Sequence, residues 1–199
     1  MQRPMPPETL GQLIGSYPVR VTVCHEMPLW VTQNLLNENS PLYNHDHDHL
    51  RDHMEAGNIG FLWAAPVYVK AGMHVLGQCE LLQFRAGGWQ KARQEQQFME
   101  WFGMALPSWV ITLSAGFCAS CTDREFCVLV DHELYHIAQA IDDYGAPKFR
   151  RDDGMPVLTM RGHDVEEFNG VVRRYGLTKD MQKMFEYTKN APEIRETEG

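Results

Sequence analysis

The residues that most constrain this chain are His132 and His136, which flank Glu133 in an H-E-x-x-H pattern. On an α-helix, histidines four residues apart lie about 40° apart around the axis and about 6 Å apart along it, so both imidazoles can reach one metal ion. Glu133 directly follows the first histidine. From that position its carboxylate can take a proton from a metal-bound water without ligating the metal. The pattern therefore predicts a zinc site with an adjacent general base.

The residues around the motif predict that it lies on a largely buried helix. Thr122 or Asp123 can cap the start of this helix. An apolar stripe at helical spacing follows, formed by Phe126, Leu129, Val130, Leu134, Ile137 and Ala138. We expect the helix to run through the motif and to close at residues 142–147. H-E-x-x-H also arises by chance on exposed helices, and the apolar stripe favours the metal site over that alternative.

A zinc site needs a third protein ligand, and residues 161–168 offer a histidine and two carboxylates. His163 follows Gly162, which permits a close approach of the backbone, and the chain between His136 and His163 is long enough to return to the metal. Glu166 and Glu167 lie within one turn of His163. We expect His163 to be the ligand, with either glutamate as the alternative or as an acceptor for an imidazole hydrogen bond.

These two segments carry a resemblance to a known family. His132–His136 and His163–Phe168, followed by residues 171–176, resemble the phage metallopeptidase family, small zincins of bacteriophage and prophage genomes, over roughly residues 50–177. They are more distantly similar to SprT-like proteases, in which a downstream histidine completes the site. The resemblance implies a zinc metallopeptidase that hydrolyses peptide bonds in a protein or peptide substrate. It also implies that a strand at Trp109–Leu113 forms the sheet edge beside the cleft and pairs with the extended substrate.

The predicted fold is α+β: a small zincin-like domain with a mixed sheet of about four strands, an active-site helix and a second helix carrying His163. In the mechanism, Zn²⁺ held by His132, His136 and His163 lowers the pKa of its water toward ~7 and Glu133 takes the proton. Asp131, Glu166 or Glu167 could orient the imidazoles. The sequence does not rank the candidates for an oxyanion donor, which are Tyr135, Tyr144, Arg161 and Tyr175.

Length, charge and hydropathy limit the possible domain organisation and location of the protein. The chain has 199 residues and a net charge of −8. We expect one domain over residues 11–190, between a mobile Pro-rich tail at 1–10 and a disordered charged tail at 191–199. No segment has the length of a membrane span and no signal peptide is evident, so we expect the protein in the cytoplasm, that of the host if a phage encodes it. The oligomeric state is left open.

Two functions of other classes stay as alternatives. One is a catalytically inactive, zinc-stabilised protein that binds a host factor, although such a site would not need Glu133. The other is a nucleic-acid-associated protease of the SprT-like kind. The acidic charge makes nucleic-acid binding an unfavoured expectation.

Two further segments rich in metal-ligating side chains are predicted to lie outside the site. We expect His45–His53 to be a solvated loop that at most scavenges a metal, because nothing fixes its ligands in one geometry. Cys118 and Cys121 form one C-x-x-C pair without a second close pair, so reduced thiols are favoured over a structural zinc.

The rest of the chain alternates between short strand and helix patterns. Strands are predicted at Tyr17–Cys24 and Ile59–Trp63, and a β-meander is predicted over Val67–Leu82. Helices are predicted at Leu29–Asn37, Gln90–Met104 and Thr178–Lys189.

Overall fold

The structure is a computed structural model that describes residues 2–14, 17–18, 20–66, 68–103, 106–165 and 169–189. Glu166, Glu167, Phe168 and the predicted tail at 191–199 lie outside the described residues. The chain forms two compact units, residues 1–160 and 161–199. Each is considered by itself, and the single domain over residues 11–190 stays a prediction.

The first unit contains ten strands and five α-helices among the described residues. The strands are β1 (Leu13–Ile14), β2 (Tyr17–Pro18), β3 (Val21–Val23), β4 (Ile59–Ala64), β5 (Tyr68–Lys70), β6 (Met73–Val75), β7 (Gly77–Leu81), β8 (Trp109–Ser114), β9 (Ile137–Gln139) and β10 (Leu158–Met160). The helices are α1 (Met27–Asn34), α2 (Arg51–Glu55), α3 (Gly88–Trp101), α4 (Ala115–Ser120) and α5 (Asp123–Tyr135), with a 3-10 helix at His45–Leu50.

The fold is α+β and is built on a mixed four-stranded sheet, as predicted. The strand order is β3-β4-β8-β7, in which β4 and β8 run parallel and the two outer pairs are antiparallel. Parallel neighbours need a crossover connection. The crossover between β4 and β8 carries the separate hairpin β5–β6, then β7 and α3. The predicted β-meander over Val67–Leu82 is therefore wrong, because β7 pairs with β8 and not with the strands before it.

The predicted position of the strand at Trp109–Leu113 is also wrong. This strand, β8, lies between β4 and β7, so it is a central strand and β7 is the edge. The physical reason lies in its composition. Five of the six residues of β8 are buried, and a continuous apolar run of this kind suits a strand covered on both faces.

Helix α5 begins where it was predicted to begin and ends before the predicted end. Thr122 and Glu125 form a reciprocal capping box, with the Thr122 Oγ1 accepting from the Glu125 backbone N–H at 3.2 Å. The helix ends at Tyr135, however, and His136 is its C-cap. Ile137 and the two residues after it form β9, which pairs antiparallel with β10. The expected continuation to residue 142 is wrong because the Ile137 carbonyl accepts a hydrogen bond from His49 Nε2 at 2.7 Å and does not continue a helix.

The amino-terminal segment is tied to the start of α5. The Arg3 guanidinium donates to the Cys121 carbonyl at 2.6 Å and lies 3.2 Å from an Asp123 carboxylate oxygen. It also covers the ring of Phe126, at 5.3 Å from the centroid. Phe126 is fully buried and packs edge-on against Trp30. These contacts fix the start of the helix that carries the motif.

The second unit contains α6 (Asn169–Tyr175) and α7 (Lys179–Thr188). Helix α7 is capped by Thr178, in agreement with the predicted helix at the end of the chain. His163 precedes α6 and does not lie on it, in a segment where Arg161 donates to Asp164 at 2.7 Å. This short ion pair spans His163 and closes a turn. No helix among the described residues has both the length and the apolar composition to cross a bilayer.

Candidate metal centre

Three histidines form a group that could bind a metal. His132 lies in the last turn of α5 and His136 caps it, and their ring centroids are 5.0 Å apart. One ligand nitrogen from each of His132, His136 and His163 lies within 4.8 Å of the other two. Ligand nitrogens in a tetrahedral zinc site lie about 3.4 Å apart, as follows from a Zn–N distance of about 2.0–2.1 Å. The three histidines could therefore hold one metal ion.

The donor set fits a catalytic metal better than a structural one. Three imidazoles leave a fourth tetrahedral position for water or substrate, whereas structural zinc sites are closed by four protein ligands. Within the described ranges, no other group of three or more histidines, cysteines and acidic side chains converges in this way. The metal-binding character of the triad is thus supported by geometry as well as by the motif.

Glu133 is a buried carboxylate beside the first histidine. Only 3% of its surface is exposed. It lies beside the edge strand β7, near Gly77 and Cys79. Burial raises the pKa of the Cys79 thiol to about 12, and the charge of Glu133 adds to that shift. A carboxylate in such a position is shielded from bulk water, which is the environment of a general base that acts in a closed site.

Gly77 makes this placement of Glu133 possible. A Cβ atom at Gly77 would lie 2.8 Å from Glu133 Cδ and 2.9 Å from Cγ, and it would also overlap Oε1. Real Cβ contacts are almost never so short. The sequence carried a weak signal for this residue, because a glycine within a strand often marks a close approach, but it did not identify the partner.

A polar network supports α5 from the His45–His53 stretch. Asp131, directly before the first histidine, accepts from His47 Nε2 at 2.8 Å and from Asn44 Nδ2 at 3.1 Å. The Tyr135 hydroxyl donates to Asp46 at 2.8 Å and accepts from the same Asn44 amide. The network holds the last two turns of α5 from the side of the 3-10 helix.

The prediction of a solvated loop at His45–His53 is therefore wrong. His47 and His53 are buried, and His49 is largely buried. His49 bonds the Ile137 carbonyl, while His53 Nε2 bonds the Pro156 carbonyl at 2.7 Å. This stretch is thus attached to the motif helix by His47, to β9 by His49 and to the segment before β10 by His53. Composition alone suggested solvent exposure because the hydrogen-bond partners of these histidines lie 84 to 103 residues away along the chain.

The four candidates for an oxyanion donor lie in different environments. Tyr135 is engaged by the network, Tyr144 and Tyr175 are exposed, and Arg161 pairs with Asp164. No oxyanion donor is singled out by these positions. Glu166 and Glu167 fall outside the described residues, so the choice between them and His163 stays a prediction.

The cysteines are free thiols in a low-dielectric environment. Burial raises the pKa of Cys24 and Cys118 to about 12 and that of Cys127 to about 11. Thiols with such pKa values are protonated at neutral pH, whereas a zinc ligand or a redox nucleophile is a thiolate.

A cleft opens beside the histidine motif within the first unit. Its volume is about 480 Å³, and it runs between α5 and the start of β7. His132 and Glu133 line one part of it. The rest of its lining is mainly apolar and includes Val75, Leu76, Phe117, Val128 and Leu129. The candidate metal ligands and the candidate base therefore border a space large enough for part of a substrate.

Comparison with known proteins places the chain in a family. Residues 29–189 match the family described as "Putative phage metallopeptidase". No curated protein and no solved structure matches the chain. The match covers well over half of the chain and includes both histidine segments, the cleft and the network that supports α5. The chain belongs to the phage metallopeptidase family.

Proposed function

We propose that this protein is a zinc-dependent metallopeptidase, encoded by a phage or prophage, with Zn²⁺ held by His132, His136 and His163. The observation that carries the proposal is the convergence of three histidine nitrogens within 4.8 Å next to the buried carboxylate of Glu133. Family membership supports the reaction class. The substrate is a protein or peptide.

The chemistry divides between the metal and the protein. A bound zinc would supply Lewis acidity, which lowers the pKa of water and polarises a carbonyl. Glu133 would accept a proton from the attacking water and deliver it to the leaving amine. Its burial keeps the carboxylate out of competing hydrogen bonds with bulk solvent, and the wall formed by Gly77 limits the positions that it can adopt. His47 and Asn44, through Asp131, would hold α5 in register for both steps.

The arrangement of the sheet favours an extended peptide as substrate. β7 is the edge strand beside the cleft, and among the described strands its one sheet neighbour is β8. The outer backbone groups of β7 can therefore pair with a peptide that lies along it. This assigns to β7 the role that the family resemblance had suggested for Trp109–Leu113.

Exchange of Glu133 for glutamine separates an enzyme from a binding scaffold. Glu133→Gln preserves size and removes the base, so zinc content and melting temperature should stay near wild type while peptide cleavage falls by at least about 100-fold. The assay is cleavage of a peptide library by zinc-loaded protein, read by mass spectrometry. Glu100→Gln, on the exposed face of α3, is the matched control and should cleave like wild type.

Two outcomes would contradict the proposal. Cleavage by Glu133→Gln at the wild-type rate would remove Glu133 from the role of base. Failure of the zinc-loaded wild-type protein to cleave any library member would favour the zinc-stabilised binding protein that targets a host factor.

A further inference from the structure

We infer that the cleft beside Glu133 receives a large apolar side chain of the substrate residue next to the cleaved bond, so that the enzyme selects extended, apolar segments. The inference rests on the proposed function, because it takes Glu133 and His132 as the centre of the reaction. It adds the class of substrate and the residues that select it.

The cleft is lined mainly by apolar side chains, although His74, Arg124 and Glu125 also line it. Val75, at the end of β6, and Leu76, directly before the edge strand β7, form one side. Val128 and Leu129 of α5, with Phe117 of α4, form the other. Leu76 is 36% exposed and Val128 is 53% exposed. An apolar group that fills the space between exposed aliphatic side chains displaces water from them, and this burial of apolar surface makes binding more favourable.

The cleft also has ample room for a large side chain and lies next to the candidate base. A volume of about 480 Å³ falls in the range of about 300–1,000 Å³ that is typical of small-ligand pockets. It is continuous with Glu133 and His132, so a residue bound there would be adjacent to the reacting carbonyl. A peptide paired with β7 directs alternate side chains to one face of the sheet, and one of these could enter the cleft.

The surface next to the cleft is apolar as well. The hairpin β5–β6, whose residues His74 and Val75 line the cleft, exposes Tyr68, Val69 and Met73. Met73 is 73% exposed. Neighbouring exposed apolar side chains of this kind often mark an interaction surface. A substrate with several apolar residues would cover them, which points to segments that are buried in folded proteins and accessible in unfolded ones.

Peptide binding to the Glu133→Gln variant tests the cleft without relying on catalysis. The probes are fluorescent peptides of alanine and serine that differ only at one central residue, which is Phe, Leu, Ala or Asp. We expect the Phe and Leu peptides to bind zinc-loaded Glu133→Gln at least about tenfold more tightly than the Ala peptide, because a filled apolar pocket discriminates by about 10–200-fold. Anisotropy gives the dissociation constants.

Variants of the cleft residues test whether these residues cause the preference for the Phe peptide over the Ala peptide. Val128→Asp and Leu76→Asp, each made in the Glu133→Gln protein, should reduce the Phe-to-Ala ratio to below about threefold. Val128→Ser and Leu76→Ser remove apolar surface without adding charge, and they replace the aspartate variants if either of those lowers the melting temperature. Leu29→Asp changes an exposed leucine on α1, outside the cleft, and should leave the ratio unchanged.

The outcomes distinguish the inference from the proposed function. Equal binding of the Phe and Ala peptides, or a ratio that survives the changes at both Val128 and Leu76, would overturn the inference. Wild-type protein that cleaves a library without enrichment of apolar residues beside the cleaved bond would also overturn it, while leaving the peptidase intact. Discrimination by the Glu133→Gln variant together with an inactive wild type would contradict the peptidase and retain the cleft.

Discussion

Replacement of Gly77 by alanine adds one methyl group at the point where β7 approaches Glu133. The new Cβ would lie within 3.0 Å of three atoms of the Glu133 side chain, including Cγ at 2.9 Å. Cγ is near the helix backbone, so rotation of the carboxylate alone would not relieve the overlap. Insertion of a methylene into a packed site costs about 1–3 kcal/mol. We expect Gly77→Ala to lower the free energy of unfolding by that amount.

The same substitution should affect catalysis more than stability. Displacement of a catalytic group by about 1 Å can lower a rate by about 100-fold. Gly77→Ala should therefore lower kcat by about 100-fold and keep one zinc per chain, because the added methyl group faces Glu133 and not the histidines. The measurements are urea unfolding, zinc content and peptide cleavage.

A double-mutant cycle shows whether the methyl group acts through Glu133. In a Glu133→Ala background the overlap is absent, so Gly77→Ala should cost less than about 0.5 kcal/mol there, and the two changes should couple by about 1–3 kcal/mol. Gly87→Ala is the control, since a Cβ at this extended glycine meets no atom within 4 Å. An equal cost of Gly77→Ala in both backgrounds would refute the proposed contact.

Further predictions concern the cap, acid stability and the third ligand. Thr122→Ala removes the capping box of α5 and should lower the free energy of unfolding by about 1 kcal/mol in urea titrations; no change would contradict a structural role for the cap. Burial lowers the pKa of His49 below its ordinary value of 6.5, so His49 favours the neutral form in the folded state, and the stability that it contributes is full above pH 6.5 and declines as the pH falls below it. His49→Gln should flatten this decline in a series of melting temperatures between pH 7.5 and pH 5, and an unchanged slope would exclude His49 as its cause. His163→Ala should lower zinc affinity in competition with a chelator by at least about tenfold, whereas Glu166→Gln and Glu167→Gln should change it far less; the reverse ranking would identify a carboxylate ligand.

Local patterns in the sequence predicted the histidine pair of the candidate site and the start of its helix. The spacing of His132 and His136 depends only on helix geometry, and the Thr122 cap depends only on residues within one turn. Interactions within one helical turn depend only on residues that are close together in the sequence. The same holds for the β-branched and aromatic run of β8, which predicted a strand although not its neighbours.

The features that could not be predicted depend on contacts between distant residues. The order β3-β4-β8-β7 depends on how the crossover folds, and strand composition does not specify it. The burial of His47 depends on Asp131, 84 residues later. Ile137 lies outside the helix that its apolar pattern predicted, because β10 and His49 provide hydrogen-bond partners for its backbone. For His47 and Ile137, a tertiary hydrogen bond outweighed a local tendency toward solvent or helix.

The position of zinc in crystals of the zinc-loaded protein tests the central proposal most directly. Anomalous difference density at the zinc edge locates the ion without assumptions about its ligands. We predict one site per chain, with nitrogens of His132, His136 and His163 at about 2.0–2.1 Å and a fourth position open toward Glu133 and the cleft. Zinc bound elsewhere, or held by a carboxylate oxygen of Glu133 at about 2.0–2.2 Å, would contradict the assignment of Glu133 as base.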